Sequence, residues 1–132
     1  MSKPSQLGDL QLAILRILWA RGEATAGDVH AALQPERGLA PTTIATMLKK
    51  MEGRGLVTHR DEGRRFIYRP AVSEEGVTRA MVTDLTDRLF GGKVTELVNH
   101  LIVEHDIDRA ELAELNRLIA QAERQSRRRD RS

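Results

Sequence analysis

A mainly α-helical protein with one small β-hairpin is what this sequence predicts, and three observations carry that fold class. Aromatic residues make up 3% of the chain, so a core must be built from Leu, Ile, Val, Met and Ala, which favours helix packing over a large sheet. Apolar residues recur at helical spacing along most of the length. One stretch alone, Leu56 to Arg69, gathers β-branched and aromatic residues around a glycine-containing turn.

The first helix is predicted from about Leu7 to Ala20, with Leu10, Ala13, Ile14, Ile17 and Leu18 at helical spacing and Gly22 as its stop. Thr25-Ala26-Gly27-Asp28 has the pattern of a capping box, an acidic residue three after a threonine, and opens a short second helix through Val29, Ala32 and Leu33. That helix is expected to end near Pro35, with a loop from Gln34 to Ala40. Pro41 suits the first turn of a third helix over residues 41–53, in which Ile44, Met47, Leu48 and Met51 share one face and Gly53 and Gly55 end the run. Leu56–Arg60 and Arg64–Arg69 then read as two strands around the turn Asp61-Glu62-Gly63, closed by Pro70. Three helices followed by a hairpin is the order of a winged helix, the hairpin being the wing.

Beyond Ser73, a suitable N-cap, the chain reads as helix throughout. Val77, Met81, Leu85 and Leu89 recur every fourth residue up to Gly91-Gly92. Val94, Leu97, Val98, Leu101 and Ile102 form a second stripe. Asp108-Arg109-Ala110-Glu111 resembles another capping box and precedes Leu112, Leu115, Ile119 and Ala122. Three short helices have too little bulk for a good core of their own, so pairing with a second copy through Val77, Met81, Leu85, Leu89, Leu97, Leu101, Leu112, Leu115 and Ile119 is expected. The organisation is therefore residues 1–72 as winged helix, 73–124 as a helical dimerisation region, and 125–132 as a flexible basic tail.

A net charge of +2 over 132 residues neither requires nor excludes nucleic acid, so the placement of charge decides. The absence of cysteine removes disulfides, thiol nucleophiles and thiolate metal sites. No run is long enough to span a bilayer, and Met1-Ser2-Lys3-Pro4-Ser5 lacks the apolar stretch of a signal peptide, so a cytoplasmic protein without membrane insertion is expected. No phosphate loop or nucleophile elbow is present, and neither an enzyme nor a cofactor is expected.

On the third helix, Thr42, Thr46, Lys49 and Lys50 lie opposite the apolar stripe, with Thr43 at the edge. Short hydroxyl side chains allow close approach to base edges and thymine methyls, and lysines reach phosphates or guanine acceptors. A plain solvated face has the same composition. The next element separates the two readings: Arg60, Arg64, Arg65 and Arg69 fall within ten residues of the hairpin, and guanidinium groups suit phosphates and narrow minor grooves. Trp19, Phe66 and Tyr68 follow apolar periodicities and read as core anchors rather than base-stacking platforms. His100 and Glu104-His105 miss the zinc-hydrolase spacings and read as surface residues. His30 and His59 have no partner nearby in sequence, and His59 at the wing base is within reach of phosphate. A winged helix that contacts only protein is the alternative reading.

The stretches Leu7-Gly8-Asp9-Leu10, Ile14-Leu15-Arg16-Ile17-Leu18-Trp19, Thr42-Thr43-Ile44-Ala45-Thr46-Met47-Leu48, Gly55-Leu56-Val57, and Glu62-Gly63-Arg64 through Tyr68-Arg69-Pro70 resemble the penicillinase-repressor family. That family includes the β-lactamase and methicillin-resistance repressors and the copper-responsive CopY-type repressors. The resemblance implies a homodimeric transcriptional repressor that blocks a promoter at a palindromic double-stranded operator. It places recognition-helix contacts at Thr42, Thr43, Thr46 and Lys50, with Ala45 where some members have a longer polar residue. Copper-responsive members carry a C-terminal cysteine motif that this chain lacks. In β-lactam-responsive members a membrane sensor-protease triggers cleavage at an Asn-Phe bond; the corresponding bond here is His100-Leu101, without those side chains.

Overall fold

The structure, a computed structural model, describes residues 4–131. Met1–Lys3 of the stretch weighed for a leader, and Ser132 of the tail, lie outside the described residues. A 3-10 turn, Pro4–Gln6, precedes α1 (Asp9–Arg21), α2 (Ala26–Arg37), α3 (Pro41–Gly53), the hairpin β1 (Val57–Glu62) and β2 (Arg65–Pro70), then α4 (Glu74–Phe90), α5 (Val94–Glu104) and α6 (Arg109–Asp130). The chain divides into two compact units, Met1–Leu89 and Phe90–Ser132. The break thus falls at the end of α4 and not after residue 72. Val77 in the first half of α4 is buried in the N-terminal unit, where Leu12 and Trp19 of α1 line the same hollow.

Local chemistry sets the element ends. Gly22, at φ +85, ends α1, and its N–H donates to the Leu18 carbonyl. At the start of α2 the capping box is complete: the Asp28 N–H donates to Thr25 Oγ1 and the Thr25 N–H to Asp28 Oδ2, both at 3.0 Å. That helix runs past the sequence expectation. Pro35 sits inside it, and the chain leaves at Gly38, whose left-handed φ of +57 lets its N–H close on the Gln34 carbonyl. A proline near a helix end gives up one ladder bond without stopping the turn already begun.

The predicted bounds of α3 hold. Its exit is a Schellman motif, in which the Leu56 N–H donates to the Met51 carbonyl and the Gly55 N–H to the Glu52 carbonyl. Gly55, at φ +77, supplies the left-handed residue; Gly53 is ordinary helix. Leu56 and Met51 are both buried, the apolar contact that usually accompanies this motif.

The hairpin turn differs from the sequence reading. Glu62 pairs with Arg65, so the loop is the two residues Gly63-Arg64, and Asp61 and Glu62 belong to β1. Gly63 takes φ +68 while Arg64 stays negative, the sign pattern of a type II′ turn, whose twist matches that of the strands. Ala24, between α1 and α2, adds a bridge that sequence reasoning missed: it exchanges two backbone hydrogen bonds with Tyr68, at 3.0 and 2.8 Å.

The core of the N-terminal unit joins Ile14, Leu15 and Leu18 of α1, Val29 and Leu33 of α2, Ile44, Leu48 and Met51 of α3, and Tyr68 of β2. Trp19 packs against its edge and donates its indole N–H to the Val72 carbonyl at 2.9 Å, which ties the end of the wing to α1. In the C-terminal unit, α5 and α6 contain no buried residue. Asp108 caps α6 as expected, accepting the Glu111 N–H at 2.8 Å. The tail read as flexible is helical instead, since α6 continues through Asp130 with Arg127, Arg128 and Arg129 in its last turn, where cations oppose the negative end of the helix dipole.

Candidate nucleic-acid interface

The face of α3 is divided as its sequence requires. Ile44, Leu48 and Met51 are fully buried, whereas Thr42, Thr43, Ala45, Thr46, Lys49 and Lys50 are all exposed. Anchoring three positions of one stripe fixes the rotation of the helix, so the threonines and lysines face solvent together. Pro41 at the first turn and the Schellman exit hold both ends of this helix.

The wing is less uniform than four arginines suggested. Arg60 is held within the protein: Nη1 lies 2.5 Å from Glu23 Oε2, and Nη2 lies 3.1 Å from Glu23 Oε1 and 3.0 Å from Glu62 Oε2. Hydrogen bonding to Arg60, with the charges of Arg60 and Arg69 adding, holds the Glu23 carboxyl below its ordinary value. Arg60 thus also joins the wing to the α1–α2 connection, a pairing that its sequence neighbours do not announce. Arg64 stands at the exposed tip and Arg65 is exposed beside it. The charge of Arg65 reaches Asp28, whose carboxyl is held low first by the Thr25 backbone N–H, then by the Thr25 hydroxyl.

His59 is not partnerless. Its Nδ1 donates to the Glu52 carboxylate, 2.6 Å from Oε2, and its ring stacks on Phe66 with centroids 4.2 Å apart. The pair links the end of α3 to the wing. It also accounts for the one aromatic that departs from expectation: Phe66 is 49% exposed and belongs to this surface cluster, while Tyr68 is buried as expected. Burial, with the Glu52 charge nearby, pushes the Tyr68 phenol up. His30 has a partner too, the Leu39 carbonyl at 2.7 Å.

A groove of about 640 Å³ separates α3 from the wing, and Ala45, Lys49, His59, Arg64, Arg65 and Phe66 are among its walls. Of these, Lys49, Arg64 and Arg65 were legible as cations. The stacking of His59 on Phe66 is not legible in sequence, because Phe66 follows the alternation of a core residue and the two lie on different strands.

Of the side chains assigned to pairing, Val77 is covered by its own chain at 2% exposure, and this removes it from that set. Met81, Leu97 and Leu115 are half-buried, and Leu85, Leu89, Leu101, Leu112 and Ile119 are exposed. His100 and Leu101 lie within α5, both exposed, and the His100 ring sits 5.6 Å from that of Phe90. Among the described residues no helix is long and apolar enough to cross a membrane.

A three-helix core, a hairpin, and an exposed Thr/Lys helix beside a basic wing define a winged-helix protein of the DNA-binding kind. Comparison with known proteins agrees. The profile of the penicillinase repressor family matches residues 7–121, and the chain belongs to that family. The transcriptional regulator BlaI of Mycobacterium tuberculosis is 33% identical over 125 residues, covering 93% of this chain and 89% of its own. The penicillinase repressor of Bacillus licheniformis is 24% identical over 119 residues, 90% of this chain and 93% of its own. Among solved structures, the DNA-binding domain of the repressor BlaI superposes with a TM-score of 0.51 at 30% identity, over 58% of this chain and 93% of that one. These relatives are repressors and regulators of transcription, and the family is not one of enzymes.

Proposed function

We propose that this chain is a homodimeric transcriptional repressor that occludes a promoter by binding a palindromic operator. Each copy places α3 in a major groove, with Thr42, Thr43, Thr46, Lys49 and Lys50 toward the bases and phosphates, and sets Arg64 and Arg65 of the wing on the backbone. The observation that carries this reading is the division of α3, three apolar residues fully buried and five hydroxyl or ammonium side chains exposed beside an arginine-tipped hairpin. Pairing is supported by the C-terminal unit, where α5 and α6 bury nothing while Leu101, Leu112, Leu118 and Ile119 remain exposed. Two linked reading heads then bind far more tightly than one.

Release by proteolysis, were a membrane sensor-protease to act on this chain, would sever α6 from the reading head at His100-Leu101. That bond lies inside a helix, so α5 must first open locally.

The test is a gel shift of operator DNA with Lys50→Ala and Arg64→Ala, neither of which touches the core. Each is expected to weaken binding by roughly 5- to 100-fold with thermal stability unchanged. Unchanged affinity for both would remove this face from the reading. Failure of the parent protein to retard any duplex at low salt would favour a protein-interaction module.

A further inference from the structure

The last turns of α6 contain no apolar residue. From Glu123 to Arg131 the sequence has five arginines against two carboxylates, Glu123 and Asp130, and every one of these residues is exposed. The apolar stripe of α6 ends at Ala122, so no buried face stabilises these turns. Arg124, Arg127, Arg128 and Arg131 stand at i, i+3, i+4 and i+7, which gathers their charges along one side of the helix. Like charges at that spacing oppose the helix. The helix dipole accounts for cations only in the final turn, and Arg124 precedes it. The match to the family profile covers residues 7–121, and this segment lies beyond it.

We propose that this arginine stripe is a second, sequence-independent contact to the phosphates of duplex DNA. A polyanion relieves the mutual repulsion of the stripe, and guanidinium forks match phosphate oxygens in pairs. The stripe is about 10 Å long, an axial length over which a duplex presents about six phosphates. For the choice of DNA among polyanions the proposal rests on the operator reading above. Tethered to a reading head, such a contact raises the local concentration of that head along any duplex.

The experiment compares the full chain with two variants carrying all five changes, R124Q/R127Q/R128Q/R129Q/R131Q and the same positions changed to Lys. Binding to a non-operator duplex is measured between about 50 and 200 mM salt, and circular dichroism reports helix content. Each phosphate that the protein ceases to neutralise lowers the slope of log K against log salt by roughly 0.9, so a fall of about 2 or more is expected in the Gln variant. The Lys variant should retain most of the parent slope. An unchanged slope in the Gln variant, or equal losses in both variants, would overturn the proposal. Capture by phosphatidylglycerol vesicles that disappears in the Gln variant, with the DNA slope intact, would overturn it in favour of a membrane surface. Preference for operator over non-operator DNA is read in parallel. Its absence in the parent protein sinks the operator reading, whereas its presence with a tail-independent slope sinks only the stripe.

Discussion

In the unit up to Leu89 most large apolar side chains of α1, α2, α3 and the hairpin turn inward, Leu85 and Leu89 at the end of α4 being exposed, and all the buried residues among those described lie in that unit; from Phe90 onward α5 and α6 bury none. Both units are helical and both have apolar stripes, yet only the first closes on itself. The difference lies in partners. In the N-terminal unit α1, α2, α3 and the hairpin surround one another, so their stripes meet, whereas the α4 stripe is covered at Val77 and left exposed at Leu85 and Leu89. In the C-terminal unit Leu112, Leu118 and Ile119 stay exposed and gain no comparable cover from the described residues. A stripe at helical spacing therefore says that a residue will be buried by something, without saying by which chain.

The largest expected effect separates the units by stability. Leu48→Ala, in the fully packed core, should cost about 2–5 kcal/mol, enough to threaten folding of the N-terminal unit, and urea denaturation reads it directly. Ile119→Ala, at a side chain 53% exposed, should leave the denaturation of a dilute sample almost unchanged. A large loss there at low concentration would mean that α6 is packed within its own chain.

Next in size is association. Ile119→Asp combined with Leu112→Asp should convert a dimer to monomers in sedimentation and weaken operator binding by about 100-fold or more, with the N-terminal unit folded. Smaller effects test how the wing is divided. Arg64→Ala should weaken DNA binding more than Arg60→Ala, because Arg60 already pairs with Glu23 and Glu62. Arg60→Ala should instead loosen the wing, seen as faster amide exchange at Ala24 and Tyr68. Thr25→Ala should cost about 1 kcal/mol by removing the cap of α2, measured by thermal unfolding.

The smallest effect is in pH. The Glu23 and Asp28 carboxyls are held below their ordinary values, by hydrogen bonding to Arg60 and to Thr25 respectively. Their contribution is therefore fully present above the ordinary carboxylate range and is lost as pH falls through the depressed values. Glu23→Gln and Asp28→Asn should differ from the parent protein at neutral pH, and the difference should shrink in acid.

Local features were the most legible in the sequence. Pro41 and the 44-47-48-51 spacing give α3 its bounds, and Thr25 with Asp28 gives the start of α2, because caps and stripes are written in neighbouring residues. Features joining distant residues were not. Nothing near Arg60 in sequence points to Glu23, and nothing near Ala24 points to Tyr68. The wing turn was misplaced because Gly63 opens the two-residue loop instead of closing a three-residue one. Phe66 reads as core because it shares a strand face with buried Tyr68, and the alternation does not show that the cover ends before Phe66, one pair from the tip of the hairpin. The basic end of α6 read as frayed because it has no apolar face, although its backbone continues as helix.

Selection of bound sequences from a pool of random duplexes by the full-length protein tests the central claim most directly. An inverted repeat is expected, with half-site centres about one helical turn or a multiple of it apart, and Lys50→Ala should weaken or alter that repeat. Recovery of no preferred sequence, or of one without two-fold symmetry, would contradict a paired α3 reading head.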